Sequence, residues 1–112
     1  MKPWFEGRLD FAPDVPGERG ELRLEGGAVG YVLDRKAAVV SYALRRHRVT
    51  LLAFPAAGLD WPGAGAPPVA LSRRGFHVVA WRAGELVYAL VSDVNEAELE
   101  ELGAELARDT GG

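Results

Sequence analysis

The chain has 112 residues, with 13 Lys and Arg against 16 Asp and Glu, a formal net charge of −3 and no cysteine. This length suits one domain that buries about two-thirds of its unfolded surface. The negative charge argues against a dedicated nucleic-acid binder, and the lack of cysteine excludes disulfides and thiolate zinc sites. The sequence holds neither a run of about 18 apolar residues nor a basic-then-apolar leader, so it predicts no membrane span and no export signal of its own.

The first residues place two large aromatic side chains, Trp4 and Phe5, between Pro3 and Gly7. Pro3 presets the backbone for a first helical position and Gly7 can end a turn, so a short helical turn is predicted over 3–7. Apolar bulk so close to a terminus is typical of a segment that is anchored or continuous with further chain.

The middle of the chain is rich in strand and turn signals. A loop is predicted over 13–20, and a long Pro-, Gly- and Ala-rich connection over 55–75, of the kind usually found in functional or mobile segments. The strand candidates are 21–25, 28–34, 37–44, 48–54, 76–82 and 85–92. Their short connections favour hairpins, so we predict an α+β fold with a mainly antiparallel sheet of five to six strands, a C-terminal helix and the short N-terminal turn.

The C-terminal helix is well signalled. Asn95 is the predicted N-cap, worth about 1 kcal/mol, and Glu98 completes a capping box. Val94 and Leu99 are placed to form a hydrophobic staple. The tail 109–112 is expected to fray. Apolar residues recur at helical spacing along one face, at Leu99, Leu102 and Leu106.

Strands 37–44 and 85–92 are apolar on both faces, which a sheet with one solvated face would not require. Five strands make a sheet about 24 Å wide, whereas one helix is about 10 Å across and covers only part of one face. The remaining cover is expected from the N-terminal aromatic segment, from the loop 56–74 or from a second molecule. Of these, we expect the N-terminal aromatics to pack on the sheet, and a dimer or another partner is left open.

Residues suited to catalysis or metal binding are few. His47 and His77 have no carboxylate cluster beside them in the sequence and make a poor metal site. Ser92 and Asp93 lack a Gly-x-Ser-x-Gly motif and are better explained as the end of a strand, because a hydrolase would need Ser92 within about 3 Å of His77. The glycines of 26–30 precede a strand and predict no phosphate site. We therefore predict no enzymatic activity, no metal and no cofactor in this chain.

Two features suit contact with a partner. Arg45 and Arg46 belong to a basic run over 45–48, which suits lipid head groups or an acidic partner, although a solvated hairpin turn is the favoured explanation in a protein of negative net charge. Trp61, in the long connection, suits an interface anchor or a cover for the sheet.

The segment Lys-Pro-Trp-Phe-Glu-Gly-Arg-Leu-Asp-Phe at 2–11 resembles the start of the extracytoplasmic domain in a family of bacterial transmembrane anti-sigma factors. The chain departs from the family pattern at Phe54, where Trp is common, and in its Ala-rich connection. Further segments resemble the family in the same order, at 27–33, 37–42 with 45–47, 49–55, 75–81 and 86–99.

The resemblance implies one periplasmic sensor or regulatory domain over 1–112. Residues 1–12 would be its juxtamembrane coupling segment, which joins the domain to a missing inner-membrane helix. Met1 would then stand at a domain boundary of a longer protein. A missing cytoplasmic module, often zinc-binding in this family, would hold an extracytoplasmic-function sigma factor inactive. A periplasmic protein or a protease would act on this domain.

The residues expected to couple or to bind partners are Lys2, Trp4, Phe5, Phe11, Arg45, Arg46 and Trp61. The resemblance brings no catalytic residues. The alternative is a free-standing α+β module that binds a ligand, or forms a homodimer, through the uncovered face of its sheet.

Overall fold

The computed structural model describes residues 11, 13–32, 34–58 and 67–110. Within these ranges six strands form one antiparallel sheet in the order β1-β2-β3-β6-β5-β4. The predicted α+β class is therefore confirmed, while the predicted turn at 3–7 lies outside the described residues. The elements in chain order are β1 (Leu22–Val32), β2 (Arg35–Leu44), β3 (His47–Pro55), β4 (Val69–Arg73), β5 (Phe76–Ala83), β6 (Leu86–Ser92) and α1 (Glu96–Thr110).

Two-residue turns close the hairpins between β2 and β3, β4 and β5, and β5 and β6. Arg74 and Gly75 both have positive φ, at 49° and 84°. Positive φ at both central positions is what a type I′ hairpin turn requires. This turn places the arginine at the tip of the β4–β5 hairpin.

The strand predictions need two corrections. The candidates 21–25 and 28–34 are one strand, β1, whose pairing with β2 shifts register between Leu24 and Gly26. Such a bulge interrupts the alternation of side chains, which is why the sequence suggested two strands. Strand β4 lies inside the predicted connection 55–75, and the sequence did not indicate it because four of its five residues are exposed.

The main core lies on the sheet face that α1 covers, here called the helix face. Leu99 and Leu106 are fully buried there, as their spacing predicted. The predicted loop 13–20 crosses the same face beside α1. The Tyr42 hydroxyl donates a 2.6 Å hydrogen bond to the carbonyl of Pro16, and the backbone N–H of Asp14 donates to the Tyr88 hydroxyl at 3.0 Å.

The ends of α1 match one prediction and contradict another. Asn95 is the N-cap, since its Oδ1 accepts a hydrogen bond of 3.2 Å from the backbone N–H of Glu98. The Glu98 carboxylate itself accepts from Arg45. The expected fraying after Arg108 is wrong for the next two residues, because the helix continues through Thr110, whose side chain is buried and hydrogen-bonded.

The opposite side of the sheet, here called the open face, is also apolar, which confirms that these strands carry apolar residues on both faces. At one end Phe54, Val87 and Ala37 form a small second cluster. Both α1 and the segment 13–20 lie on the helix face instead. Beyond this cluster Ala80 is also buried, and the other side chains of the open face are half-buried or exposed, among them Val39, Ser41, Thr50, Leu52, Leu71, Phe76, Val78, Ala89 and Val91.

Candidate functional site

Most of the predicted N-terminal and loop contact residues fall outside the described part of the chain. These are Lys2, Trp4, Phe5 and Trp61. Phe11 is described and half-buried. It lines a cavity of about 290 Å³ at the end of the sheet where β3 leads into the connection, together with Pro55, Ala57, Arg82, Glu85 and Leu86.

The two predicted arginines lie at the other end of the sheet, in the β2–β3 turn, and have different surroundings. Arg45 donates to Glu21 at 3.1 Å and to Glu98 at 2.7 Å, so it joins the hairpin to the segment before β1 and to the first turn of α1. The hydrogen bonds to Glu98 and Glu21 raise the pKa of Arg45, and the hydrogen bond from Arg45 lowers the pKa of Glu98. Arg46 is exposed and has no ion pair among the described residues. Arg45 therefore has a structural role, and Arg46 is available to a partner.

The β4–β5 turn lies at the same end of the sheet as the β2–β3 turn, because β5 and β3 both pair antiparallel with β6. The pairing places Arg23, Arg48 and Arg73 on the open-face side of this end. Of the arginines at this end, Arg19 pairs with Glu105 and Asp109, and Arg45 pairs with Glu21 and Glu98. The other five form no ion pair and no side-chain hydrogen bond within the described ranges. We call this set the arginine border, and its members are Arg23, Arg46, Arg48, Arg73 and Arg74, all exposed.

Three of the nearby carboxylates are occupied elsewhere. Asp93 lies 2.9 Å from Nδ1 of His47, and Glu18 accepts a hydrogen bond of 2.9 Å from the backbone N–H of Leu24. Glu96 accepts from the hydroxyl of Ser72, on the helix face. Glu25 is exposed and lines a pocket with Arg23 and Glu18 at the β1 edge, but no carboxylate of the described residues forms an ion pair with the arginine border.

Two apolar side chains beside the arginine border are unusually exposed. Leu71 is 51% exposed and Phe76 is 54% exposed. Phe76 pairs with Arg73 in the β4–β5 ladder, so its ring lies next to the guanidinium-bearing residues of the hairpin tip. Apolar and cationic side chains thus share one corner of the open face.

Ser92 and His77 do not form the serine–histidine contact that a hydrolase built on them would need. Ser92 is buried, donates to the carbonyl of Arg48 at 2.9 Å and accepts from the N–H of Val94 at 3.1 Å. It therefore ends β6, as predicted. His77 lies opposite Ser92 in the ladder, but its Nδ1 contacts the Ser72 hydroxyl at 2.7 Å. Within the described residues, no three His, Asp or Glu side chains are grouped to hold a metal ion.

Sequence reasoning identified Arg46 and Arg48, within the basic run 45–48, but missed Arg23, Arg73 and Arg74. The available signal was the repetition of an Arg-Arg pair at two hairpins, in the turn at 45–46 and at the strand end and turn at 73–74. Recognising it required the strand pairing that brings the two turns to one end.

The chain matches no protein-family model, no curated protein and no solved structure. Within the described part of the chain, α1 is too short and too polar to cross a bilayer, and no other helix could do so.

Proposed function

We propose that this domain is the sensor or regulatory domain of a transmembrane anti-sigma factor that controls an extracytoplasmic-function sigma factor. The observation that carries the proposal is the ordered series of segments, beginning with 2–11, that resembles that family. These segments lie in core elements rather than in loops alone. The segments at 27–33, 37–42, 49–55, 75–81 and 86–99 overlap β1, β2, β3, β5 and β6 with α1, in that order.

The physical task proposed is a shift between two states of this domain. A signal or a protein partner that binds one state more tightly than the other shifts the equilibrium toward that state. The free energy of this shift cannot exceed the difference between the binding free energies for the two states. The segment 2–11 would transmit the shift, because it would join the fold to a membrane helix. Phe11, the described residue at the end of that segment, lines a pocket with Pro55 and Leu86, which is consistent with the proposed coupling.

The first test is the reading frame upstream of the Lys2 codon in the source genome. The proposal expects an open frame that runs back through about 20 apolar residues into a module with helical character and His or Cys ligands. A stop codon and a ribosome-binding site directly upstream of Lys2 would overturn it.

A functional test follows from an open frame. The full-length protein, produced together with each extracytoplasmic-function sigma factor of the source organism, should lower transcription from the promoter of one of them. Repression of none would contradict the proposal.

The coupling role is tested by limited proteolysis. If Trp4 anchors the segment, as proposed, Trp4→Ala should make cleavage and hydrogen exchange in 2–11 faster. Tyr31→Ala is the matched control, since Tyr31 is 72% exposed and should leave the segment unchanged. Equal cleavage and exchange in the wild type and in Trp4→Ala would rule out this role.

The alternative function is a free-standing module that binds a ligand or dimerises, and the apolar open face favours it. Light scattering separates the two proposals. A tight dimer that dissociates on Leu52→Asp would favour the free-standing module, whereas a monomer with an open upstream frame favours the anti-sigma factor.

A further inference from the structure

We infer that the corner of the open face around the β4–β5 hairpin binds an anionic phospholipid surface. The first observation is charge: five exposed arginines form the arginine border, and within the described ranges none has an ion pair. A guanidinium group offers planar donors that match phosphate oxygens and is weakly hydrated, so arginine suits phosphate better than lysine does.

The second observation is the spread of these charges. The border runs from Arg23 on β1, at one edge of the sheet, to Arg73 on β4, at the other edge. Six strands spaced at about 4.8 Å separate these two edges by about 24 Å. A row of cations this long fits many phosphate groups side by side better than one phosphate group in a pocket.

The third observation is the pair of exposed apolar side chains. Leu71 and Phe76 lie on the open face of the β4–β5 hairpin, next to Arg73 and the turn residue Arg74. Apolar side chains entering the boundary between head groups and acyl chains, with cationic side chains beside them, are the pattern of interfacial membrane binding. The aliphatic part of an arginine can follow the apolar surface while its charge stays among the phosphates.

A second copy of this chain is a poorer occupant. The open face of a copy carries the same arginine border, so packing two such corners together would bring like charges together. A lipid surface supplies the missing negative charge and the apolar depth together.

The test is cosedimentation of the 112-residue chain with vesicles of phosphatidylcholine alone or of phosphatidylcholine with phosphatidylglycerol. Binding is expected only to the second kind and should weaken as salt is added. Because each arginine near an anionic surface contributes about fivefold in affinity, the double variant Arg73→Ser with Arg74→Ser should bind roughly 25-fold more weakly. Leu71→Ser with Phe76→Ser should lose at least about tenfold through the lost apolar insertion.

The matched controls are Arg108→Ser, an exposed arginine of α1, and Tyr31→Ser, an exposed aromatic residue of β1 away from the border. Both should bind like the wild type, and circular dichroism should show every variant folded. No preference for anionic vesicles, or equal binding of all variants, would overturn the inference and leave an acidic protein as the occupant. Self-association lost with Leu71→Ser and Phe76→Ser, without vesicle binding, would assign the corner to a second copy.

The inference is independent of the proposed regulatory function. A closed frame upstream of Lys2 would remove the anti-sigma proposal without changing vesicle binding. Failure to bind vesicles would leave the reading-frame test untouched.

Discussion

The indole Nε1 of Trp81 donates a 2.8 Å hydrogen bond to the hydroxyl of Thr110, the last residue of α1. Both residues are buried, and the Thr110 hydroxyl donates in turn to the carbonyl of Leu106 at 2.9 Å. The Trp81 ring also stacks on Tyr88, with centroids 5.7 Å apart and planes at 6°. The end of the helix is therefore held to the middle of the sheet.

Thr110→Val should destabilise the domain by about 1–3 kcal/mol, because the buried indole N–H loses its acceptor while the side-chain shape is kept. The measurement is the free energy of unfolding in urea. Thr50→Val is the control, since Thr50 is half-buried on the open face and its hydroxyl has no hydrogen bond within the described part of the chain. That change should stay within about 0.5 kcal/mol. Equal effects of the two substitutions would show that the Trp81 bond contributes nothing.

This bond also explains one limit of the sequence reasoning. Local signals identified α1 and its start, because the N-cap Asn95 and the spacing of its leucines are local features. They placed the helix end too early, because what holds Thr110 is Trp81, 29 residues away in the chain. The helix end depends on a tertiary contact that helix-termination signals do not contain.

The candidate surface was harder to predict than the fold. Hairpin signals predicted most of the antiparallel sheet, since the turns are short and local. Strand β4 was missed because its residues are mostly exposed and lack the alternation that burial produces. Without β4, Arg73 could not be placed at the same end of the sheet as Arg46 and Arg48, so the border was visible only in part.

The close approach of α1 to β5 predicts a second effect. A β-carbon at Gly103 would lie 2.6 Å from Cγ1 and 3.1 Å from Cβ of Val79. Gly103→Ala gains about 1 kcal/mol in helix propensity, but overpacking of this kind costs about 1–3 kcal/mol and forces the helix away from the sheet. We expect net destabilisation in urea unfolding, and a smaller penalty in a Val79→Ala background.

Gly17→Ala is the control for that experiment, because a β-carbon at Gly17 would meet no atom within 4 Å. It should be neutral or slightly stabilising, since alanine restricts the unfolded chain more than glycine does. Stabilisation by Gly103→Ala in the wild-type background would mean that the contact with Val79 relaxes without cost.

The ion pair between Arg45 and Glu98 predicts a dependence of stability on acid pH. The hydrogen bond from Arg45 holds the pKa of Glu98 below its ordinary value. A depressed folded-state pKa contributes stability that is fully present above the unfolded value of about 4.3 and is lost as the pH falls through the folded value. Arg45→Gln should therefore lower the melting temperature at neutral pH and reduce its further decrease on acidification.

The control is Arg46→Gln, which removes the same charge from the adjacent turn position, where no ion pair is formed among the described residues. Its melting temperature should follow the wild-type pH profile. If the melting temperatures of the two variants changed with pH in parallel, the ion pair with Arg45 would make no specific contribution to the acid dependence of stability.

The burial of Tyr42 predicts that the stability of the domain falls as the pH rises into the alkaline range. Burial raises the pKa of Tyr42 above its ordinary value, although the positive charge of Arg19 opposes the shift. A raised folded-state pKa means that the stabilising contribution is complete below the unfolded value of about 10 and is lost as the pH rises above it. The neutral phenol is also the form that donates the 2.6 Å hydrogen bond to the carbonyl of Pro16.

Tyr42→Phe should therefore cost about 0.5–1.5 kcal/mol at pH 7, from the lost hydrogen bond, yet lose less stability than the wild type between about pH 9 and pH 11. Because burial also raises the pKa of Tyr88, the Tyr42→Phe variant should still lose some stability at alkaline pH. Tyr31→Phe is the control, because that side chain is exposed and should leave both quantities unchanged. If Tyr42→Phe lost stability with alkali as steeply as the wild type, the segment 13–20 would not depend on a protonated Tyr42, and the alkaline transition would belong to Tyr88 or to other groups.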